Sequence, residues 1–407
     1  MRILVVAGRH PFPPRRGDEL RALQCASALA TRHHVTLLVP EAPFSGTIPV
    51  DLPFRVETFS RRRTPLPAAL LEALASGLPL QNAFFSYRAL ARRITELRPA
   101  TDLVVLQLVR LAGVIPALDG APLVADLVDS LSLNFRSRAR RDRWWRRPFL
   151  GAEARRVALC EERLLARSSG GLVVCDRDRR DLAARLPAEL GERLHTVPIA
   201  VDGLGHGGAG DRRGDTLVFS GNFGYFVNRD ALRWFLGAVW PGLRRARPGV
   251  RLVAAGSRAP EALRRELARA GAELLVDPDD LRAVLARATV ALAPLQCGSG
   301  VPIKVLEAWS AGTPVVASPW GAAGVDGAGA LEVADAPAEW IDVLARLLGS
   351  PERRAALAAA GHARLSRGYS LEAVRRGFLE CVEGAVADRQ QLAPHGLQVD
   401  FDGVSAC

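Results

Sequence analysis

The sequence reads as an α/β protein of two doubly wound domains with a cleft between them, and three observations carry that reading. Short β-branched runs alternate with longer helical patterns from end to end, the mark of parallel sheets built from βαβ units. At 407 residues the chain is long enough for two such domains. Residues 203–215 (GLGHGGAGDRRGD) hold six glycines and no apolar period, which places a linker near the middle.

In the first domain, residues 1–202, strands are expected at Ile3–Ala7, Val35–Val39, Phe54–Phe59, Leu103–Gln107, Leu123–Asp126, Gly171–Cys175 and His195–Ile199. The first helix follows a proline-stiffened loop. Asp18 stands where a helix cap belongs, with Leu20, Leu23 and Ser27 on one face and Ala26 and Leu29 beside it. In the second domain, residues 216–369, strands are expected at Leu217–Ser220, Val250–Ala255, Glu273–Val276, Val290–Leu295 and Val315–Ser318. Helices fall near 228–246, 260–270, 302–311 and 337–348. A terminal helix near 370–387 is free by its pattern to pack on either domain, and the polar tail 388–407 reads as loosely ordered.

Composition narrows the class. Apolar residues make up 49% and charged residues 24%, which fits folded domains rather than disorder. The first residues, MRILVVAG, hold too short an apolar run for a signal-peptide core, and no stretch is long enough to span a membrane. Six cysteines without a C-x-x-C pair or a His partner read as reduced thiols in a cytoplasmic protein, with no metal site. The net charge of +11 invites a nucleic-acid reading, but the arginines are spread along the chain and no recognised reading motif accompanies them. Of the 54 basic residues only one is lysine, Lys304. In a chain so biased toward arginine, a lone lysine marks a place where a compact ammonium and a planar guanidinium are not interchangeable.

Open parallel sheets bind ligands beyond the carboxyl ends of their strands, so the loops there come first. Gln296–Gly300 (QCGSG) follows a strand and leads into a helix with Pro302 in its first turn, and its glycines let backbone N–H groups approach an anion. Val301, Ile303, Val305, Leu306, Ala308 and Trp309 point round most of the helix, so it should be buried, yet it carries Lys304 and Glu307 on one face. Either the two form an internal ion pair, or Lys304 neutralises a phosphate while Glu307 accepts hydrogen bonds from hydroxyls. A second loop, His10–Asp18 (HPFPPRRGD), offers Arg16, Gly17 and Asp18 at the start of the first helix. It is not G-x-G-x-x-G, which disfavours a dinucleotide dehydrogenase, and an exposed turn is the alternative.

These residues converge on a family. Leu217 to Gly324, with TLVFSGNF, RLVAAGS, LARATVALAPL and GSGVPIKVLEAWSAGTPVVASPWGAAG, resembles the nucleotide-binding domain of glycosyltransferase family 4, and PFPPRRGDELRALQCASALATRHHVTLL is similar to that family's amino-terminal loop, particularly in exopolysaccharide-type transferases. The resemblance implies a GT-B fold of two Rossmann-like domains. It also implies retaining, metal-independent sugar transfer with no cofactor, the nucleotide-sugar being a substrate. By this carry-over Lys304 and Glu307 fall on the signature lysine and second glutamate. Glu307 then binds donor ribose, and Lys304 with the N–H groups of Gly300 and Val301 holds the diphosphate. Gly221 falls on the glycine after the first donor-domain strand, and Gly17 on the loop glycine that reaches the donor phosphate or acceptor. The chain departs from the pattern in three places. Ser299 stands where many members carry a glutamate, Asn222 and Asn228 where many carry Arg and Lys, and Val128–Asp129 where relatives often have His-Asp. Asp129 is expected either to orient the acceptor hydroxyl or to cap a helix. Closure about the glycine-rich linker is expected to exclude water from the donor.

One segment remains. Arg136–Phe149 (RSRARRDRWWRRPF) has seven arginines and adjacent tryptophans. It is either a surface for anionic lipid headgroups, consistent with a lipid-linked acceptor, or an arginine-coated helix with Trp144 and Trp145 in the core. The leading expectation is a glycosyltransferase acting on a glycan or lipid-linked acceptor. The runner-up is a catalytically degenerate nucleotide-sugar-binding protein of the same fold, with an epimerase of related fold behind it.

Overall fold

The computed structural model describes residues 1–14, 16–42, 48–118, 120–201 and 214–392, with side chains to 387. All but the last two positions of the expected 203–215 linker lie outside the described residues, as does the tail from 393.

Two parallel sheets form, one in each half of the chain. The first contains β1 (Arg2–Val6), β2 (His34–Pro40), β3 (Arg55–Phe59), β4 (Leu103–Gln107), β5 (Leu123–Val128), β6 (Gly170–Val173) and β7 (Leu194–Thr196), in the spatial order β3-β2-β1-β4-β5-β6-β7. The second contains β8 (Thr216–Ser220), β9 (Arg251–Gly256), β10 (Glu273–Val276), β11 (Val290–Ala293), β12 (Val315–Ala317) and β13 (Glu332–Val333), in the order β10-β9-β8-β11-β12-β13. The central strands read as continuous apolar runs because helices cover both of their faces. In the first sheet, Leu4, Val6 and Leu106 face one core while Ile3, Val5 and Val105 face the other. The short β13 carries no hydrophobic run and escapes sequence reading.

In each sheet the strand order reverses once, between β1 and β4 and between β8 and β11. Chains leaving the two strands at such a point turn to opposite faces, and a crevice opens between them. The two crevices face each other across the domain boundary: Leu108, Val128, Val174 and Ile199 of the first domain pack with Val301 and Ile303 of the second. The backbone at Leu108 and Val128, past or at the ends of β4 and β5, has φ of 71° and 67°. A β-branched residue adopts that conformation only under constraint, and here it turns the chain sharply toward the cleft.

Several boundaries move from their expected places. The first helix runs Gly17–Ala30 with Arg16 at its N-cap position, and Asp18 does not cap it but pairs with Arg9. Pro302 sits at the N-cap position of the helix Ile303–Ser310, one residue outside the expected first turn. The stretch expected as one helix at 228–246 divides into Phe226–Trp234, a π-helical turn Phe235–Val239, and Trp240–Ala246, whose Pro241 cannot continue a regular ladder.

The terminal helix Leu371–Leu392 lies against the first domain. Val374, Phe378, Cys381, Val382 and Ala385 pack on Ala22, Cys25, Ala26 and Leu29 of the first helix. Beneath this contact Arg21 is wholly buried. Its Nε donates to both oxygens of Asp126 at 2.8 Å, its Nη1 to the carbonyl of Val197 at 2.6 Å, and its guanidinium lies 4.9 Å from the Phe378 ring. Such a desolvated pair contributes mainly by fixing one arrangement, here tying the first helix to β5 and the terminal helix.

Candidate functional site

The crevice of the second domain is built from two loops and one helix. After β8 the chain passes Gly221, with φ of 150°, where an added Cβ would lie 2.9 Å from Asn228 Nδ2 and 3.3 Å from Lys304 Nζ. Gly256 at the end of β9 has φ of 152°, and a Cβ there would fall 1.9 Å from the Gly221 carbonyl oxygen. The two glycines therefore let the backbone close down on the Lys304 ammonium, which no larger residue permits.

Lys304 is 9% exposed. Its Nζ donates to Asn228 Oδ1 at 2.8 Å and stands 3.8 Å from the centre of the Phe219 ring. Of the three N–H bonds of this buried ammonium one goes to the amide and the ring face lies against it, so at least one has no acceptor among the described residues. Burial draws its pKa down to about 7, and Glu307 opposes the shift. Glu307 lies one turn on, and burial raises its pKa while Lys304 lowers it. The two make no ion pair within 4.0 Å, so the internal-pair alternative does not hold. No hydrogen bond reaches the Glu307 carboxylate from the described residues.

The glycine loop departs from expectation. The Gly300 N–H, expected to face a diphosphate, donates to Asp178 Oδ2 at 2.8 Å, and the same oxygen accepts from Ser130 N–H at 2.8 Å. Asp178 is wholly buried and also binds Arg177 Nε at 3.1 Å. Arg177 in turn donates to the carbonyls of Gly300 and Trp320, each at 3.0 Å. Gly298 N–H donates to Ser137 Oγ at 3.0 Å. Of the expected N–H groups, Val301 alone has no partner among the described residues.

Ser299 bridges the cleft as well. Its hydroxyl donates to Asp129 Oδ2 and accepts from Asn134 Nδ2 at 3.1 Å, while Asn134 also donates to Tyr225 OH at 2.7 Å. Asp129 therefore does not cap the following helix; Ser130 does, its Oγ accepting from Leu133 N–H. Burial and the neighbouring Asp178 raise the Asp129 pKa, with Ser299, Arg110 and Arg177 acting the other way. Among the other expected contacts, Asn222 turns its Oδ1 back to Gly224 N–H at 2.8 Å, so it shapes its own loop rather than facing the crevice. Asn228 orients Lys304 and donates to the Asn222 carbonyl at 3.0 Å. Gly17 faces across the boundary to Ile303, a Cβ there falling 2.9 Å from Ile303 Cδ1. Among the described residues the Arg16 side chain pairs with Glu19 at 3.9 Å.

Sequence reading missed Asp178, Arg177, Asn134, Ser137 and Tyr225. The available signal was position: Asp178 and Arg177 lie in the first turn of the helix Asp176–Ala183, just beyond the end of β6. The core alternative for 136–149 is overturned. The helix ends at Arg141, and Trp144 and Trp145 are 78% and 52% exposed.

Residues 214–350 match the family model described as glycosyl transferases group 1. No curated protein matches the chain by sequence. Among solved structures, HepE of Anabaena in complex with UDP and glucose is similar over 94% of this chain and 99% of its own, at 13% identity and a TM-score of 0.64. Sucrose-phosphate synthase of Thermosynechococcus elongatus is similar over 97% and 99%, at 16% identity and a TM-score of 0.69. The α,α-trehalose 6-phosphate synthase of Burkholderia multivorans is similar over 95% and 99%, at 17% identity and a TM-score of 0.67. The fold is thus GT-B, two Rossmann-like domains facing one another, and with the group 1 match over its second domain the chain is a glycosyltransferase.

Proposed function

We propose that this transferase is a retaining enzyme of family 4 that moves a sugar from a nucleotide-sugar to a glycan or lipid-linked acceptor in cell-surface or exopolysaccharide synthesis, at the cytoplasmic side. The observation that carries the reading is the buried Lys304 ammonium at the β8/β11 crevice, aimed by Asn228 and given room by Gly221. Breaking the anomeric C–O bond builds negative charge on the departing diphosphate. A preorganised ammonium in a site poor in water stabilises that charge more than it stabilises the ground state, and so lowers the barrier. The Val301 N–H and the start of the helix Ile303–Ser310 add partial positive charge at the same place. Glu307, whose carboxylate takes no hydrogen bond from the described residues, accepts from the ribose hydroxyls. Asp129 faces the cleft from the first domain and orients the acceptor hydroxyl. Retention and metal independence rest on the resemblance of residues 288–324 to the family signature.

The exposed Trp144, Trp145 and Phe149, set among the arginines of 136–149, support docking on an anionic membrane surface. No helix among the described residues is long and apolar enough to cross a membrane. Co-sedimentation with phosphatidylglycerol vesicles should fall sharply for the double variant Trp144→Ala, Trp145→Ala, and unchanged binding would remove the membrane from this reading.

Thermal stability with UDP, GDP, ADP and TDP tests the donor site. UDP comes first because HepE was solved with it. A ligand at about 100 times its Kd adds about 2.7 kcal/mol, a readily measured shift. One diphosphate should stabilise the protein, and less so in Lys304→Ala and Glu307→Ala. No response to any of the four would sink the donor site. Stabilisation without turnover across an acceptor panel would favour a binding-only descendant.

A further inference from the structure

The first domain has a strand-order reversal of its own, between β1 and β4, and the donor reading leaves that crevice unassigned. Residues far apart in sequence meet there. Arg9 follows β1, Arg110 follows β4, and both guanidinium groups lie near one ring, that of Phe85, at 5.2 and 5.7 Å from its centre. A Cβ on Gly8 would lie 2.9 Å from the same ring, so the glycine lets Phe85 close over the end of β1. Among the described residues each arginine is anchored by one polar side chain, and the rest of its fork donates to no partner. Arg9 pairs with Asp18 through Nη1, and Arg110 Nε donates to Gln81 Oε1 at 2.9 Å, a neutral partner. No carboxylate pairs with Arg110 within 4.0 Å among the described residues.

Holding such cations together is costly. The Arg9 side chain is 27% exposed, and burial, with the like charges of Arg16 and Arg110, pulls its pKa down to about 10. Asp18 pairs with Arg9 and Glu19 opposes the shift, while Arg110 also lowers the pKa of Asp129 beside the cleft. Two guanidinium forks gathered over one ring, each with N–H groups that have no acceptor among the described residues, are the chemistry that binds a phosphate group.

We propose that Arg9, Arg110 and Phe85 form an acceptor subsite for a phosphorylated group, so that the transferase glycosylates an anionic acceptor. The inference rests on the transferase reading of the cleft, whose acceptor it makes specific. Two sources share that chemistry, a free sugar phosphate and a lipid diphosphate.

The test titrates UDP-saturated protein, whose donor phosphate site is filled, with glucose 6-phosphate, geranyl diphosphate, glucose and geraniol. At least one of the anions should bind, each uncharged counterpart should not, and the better anion identifies the source. Arg110→Gln should weaken that binding about tenfold or more, as expected for loss of a charge-assisted contact, while leaving UDP affinity unchanged. Arg110→Lys, which keeps the charge without the fork, should recover part of it. If neither anion binds better than its uncharged counterpart, or Arg110→Gln loses nothing, the subsite is wrong. Failure of UDP to bind would instead overturn the donor reading. The same anions titrated onto Lys304→Ala protein would then still decide the subsite, because the competing phosphate contact is gone.

Discussion

The two crevices of this molecule arise from the same topological device and are furnished in opposite ways. In the second domain, glycines 221 and 256 let the backbone close on a single buried ammonium, and an amide and an aromatic ring fix that ammonium in place. In the first, Arg9 and Arg110 crowd around Phe85 with incomplete partners, and Asp129 is thrust toward the cleft by the strained backbone at Val128. A donor half must recognise a diphosphate whose charge grows during reaction, which rewards a small, rigid, desolvated cation. An acceptor half must recognise a particular partner, which rewards a wider surface of forked and stacking groups. The difference explains why one arginine-rich chain uses arginine in the first crevice and keeps its one lysine for the second.

The largest effect should come from removing that lysine. On the proposed donor reading, Lys304→Ala removes the group that meets the leaving diphosphate, a loss of about 3 kcal/mol in the transition state, or roughly a hundredfold in kcat/KM. Lys304→Arg should not rescue it, because Gly221, Asn228 and Phe219 leave no room for a planar fork. Steady-state transfer with the nucleotide-sugar selected by the stability screen measures both. An active Lys304→Arg enzyme would show that charge alone matters and would erase the contrast between the two crevices.

The contact that joins the crevices comes next. Asp178 is wholly buried and satisfies the N–H groups of Ser130 in one domain and Gly300 in the other, together with Arg177. Asp178→Ala leaves two buried N–H donors without their acceptor and removes the carboxylate that balances Arg177, which should cost about 3 kcal/mol of stability. Calorimetric unfolding should register this as a lower Tm. A shift of less than a degree would mean that the two domains hold their positions without this carboxylate.

The second crevice was largely legible in the sequence and the first was not. Lys304, Glu307, the glycines of 298–300 and the strand before them lie within one short segment, so local spacing was enough to bring them together. The central strands of both sheets were legible for a similar reason, since a strand buried on both faces must be a continuous apolar run, whereas the short edge strand β13 was not. Arg9, Phe85 and Arg110 meet only because β1 and β4 are neighbours at a strand reversal, a long-range pairing that no local pattern encodes. The occupation of the Gly300 N–H was hidden likewise. Asp178 reaches it from 122 positions away, so the loop looked open when its own sequence was read alone. Arg136–Phe149 failed differently: both outcomes share one composition, and only packing decides which way Trp144 and Trp145 face.

The smallest effect is a protonation difference confined to the second crevice. Burial holds the Lys304 pKa near 7, below its ordinary 10.5, so the ligand-free folded protein gives up this proton more readily than the unfolded chain. Between those two values the unfolded state binds the extra proton, and Lys304 alone makes stability rise with pH across that window. A bound diphosphate reverses the balance by placing negative charge at the ammonium, which raises its pKa again. Above pH 7, binding must then be accompanied by proton uptake approaching one per ligand, and affinity should weaken by up to about tenfold, about 1.4 kcal/mol, for each pH unit. Arg9, at about 10, is still charged at pH 8, so anion binding in the first crevice should show little such uptake there. Calorimetry at pH 8 in buffers of different ionisation enthalpy separates the two: UDP should take up a proton in the native protein and not in Lys304→Ala. UDP binding without proton uptake would mean that the ammonium is already charged in the free enzyme, and that both crevices meet their anions with permanent cations.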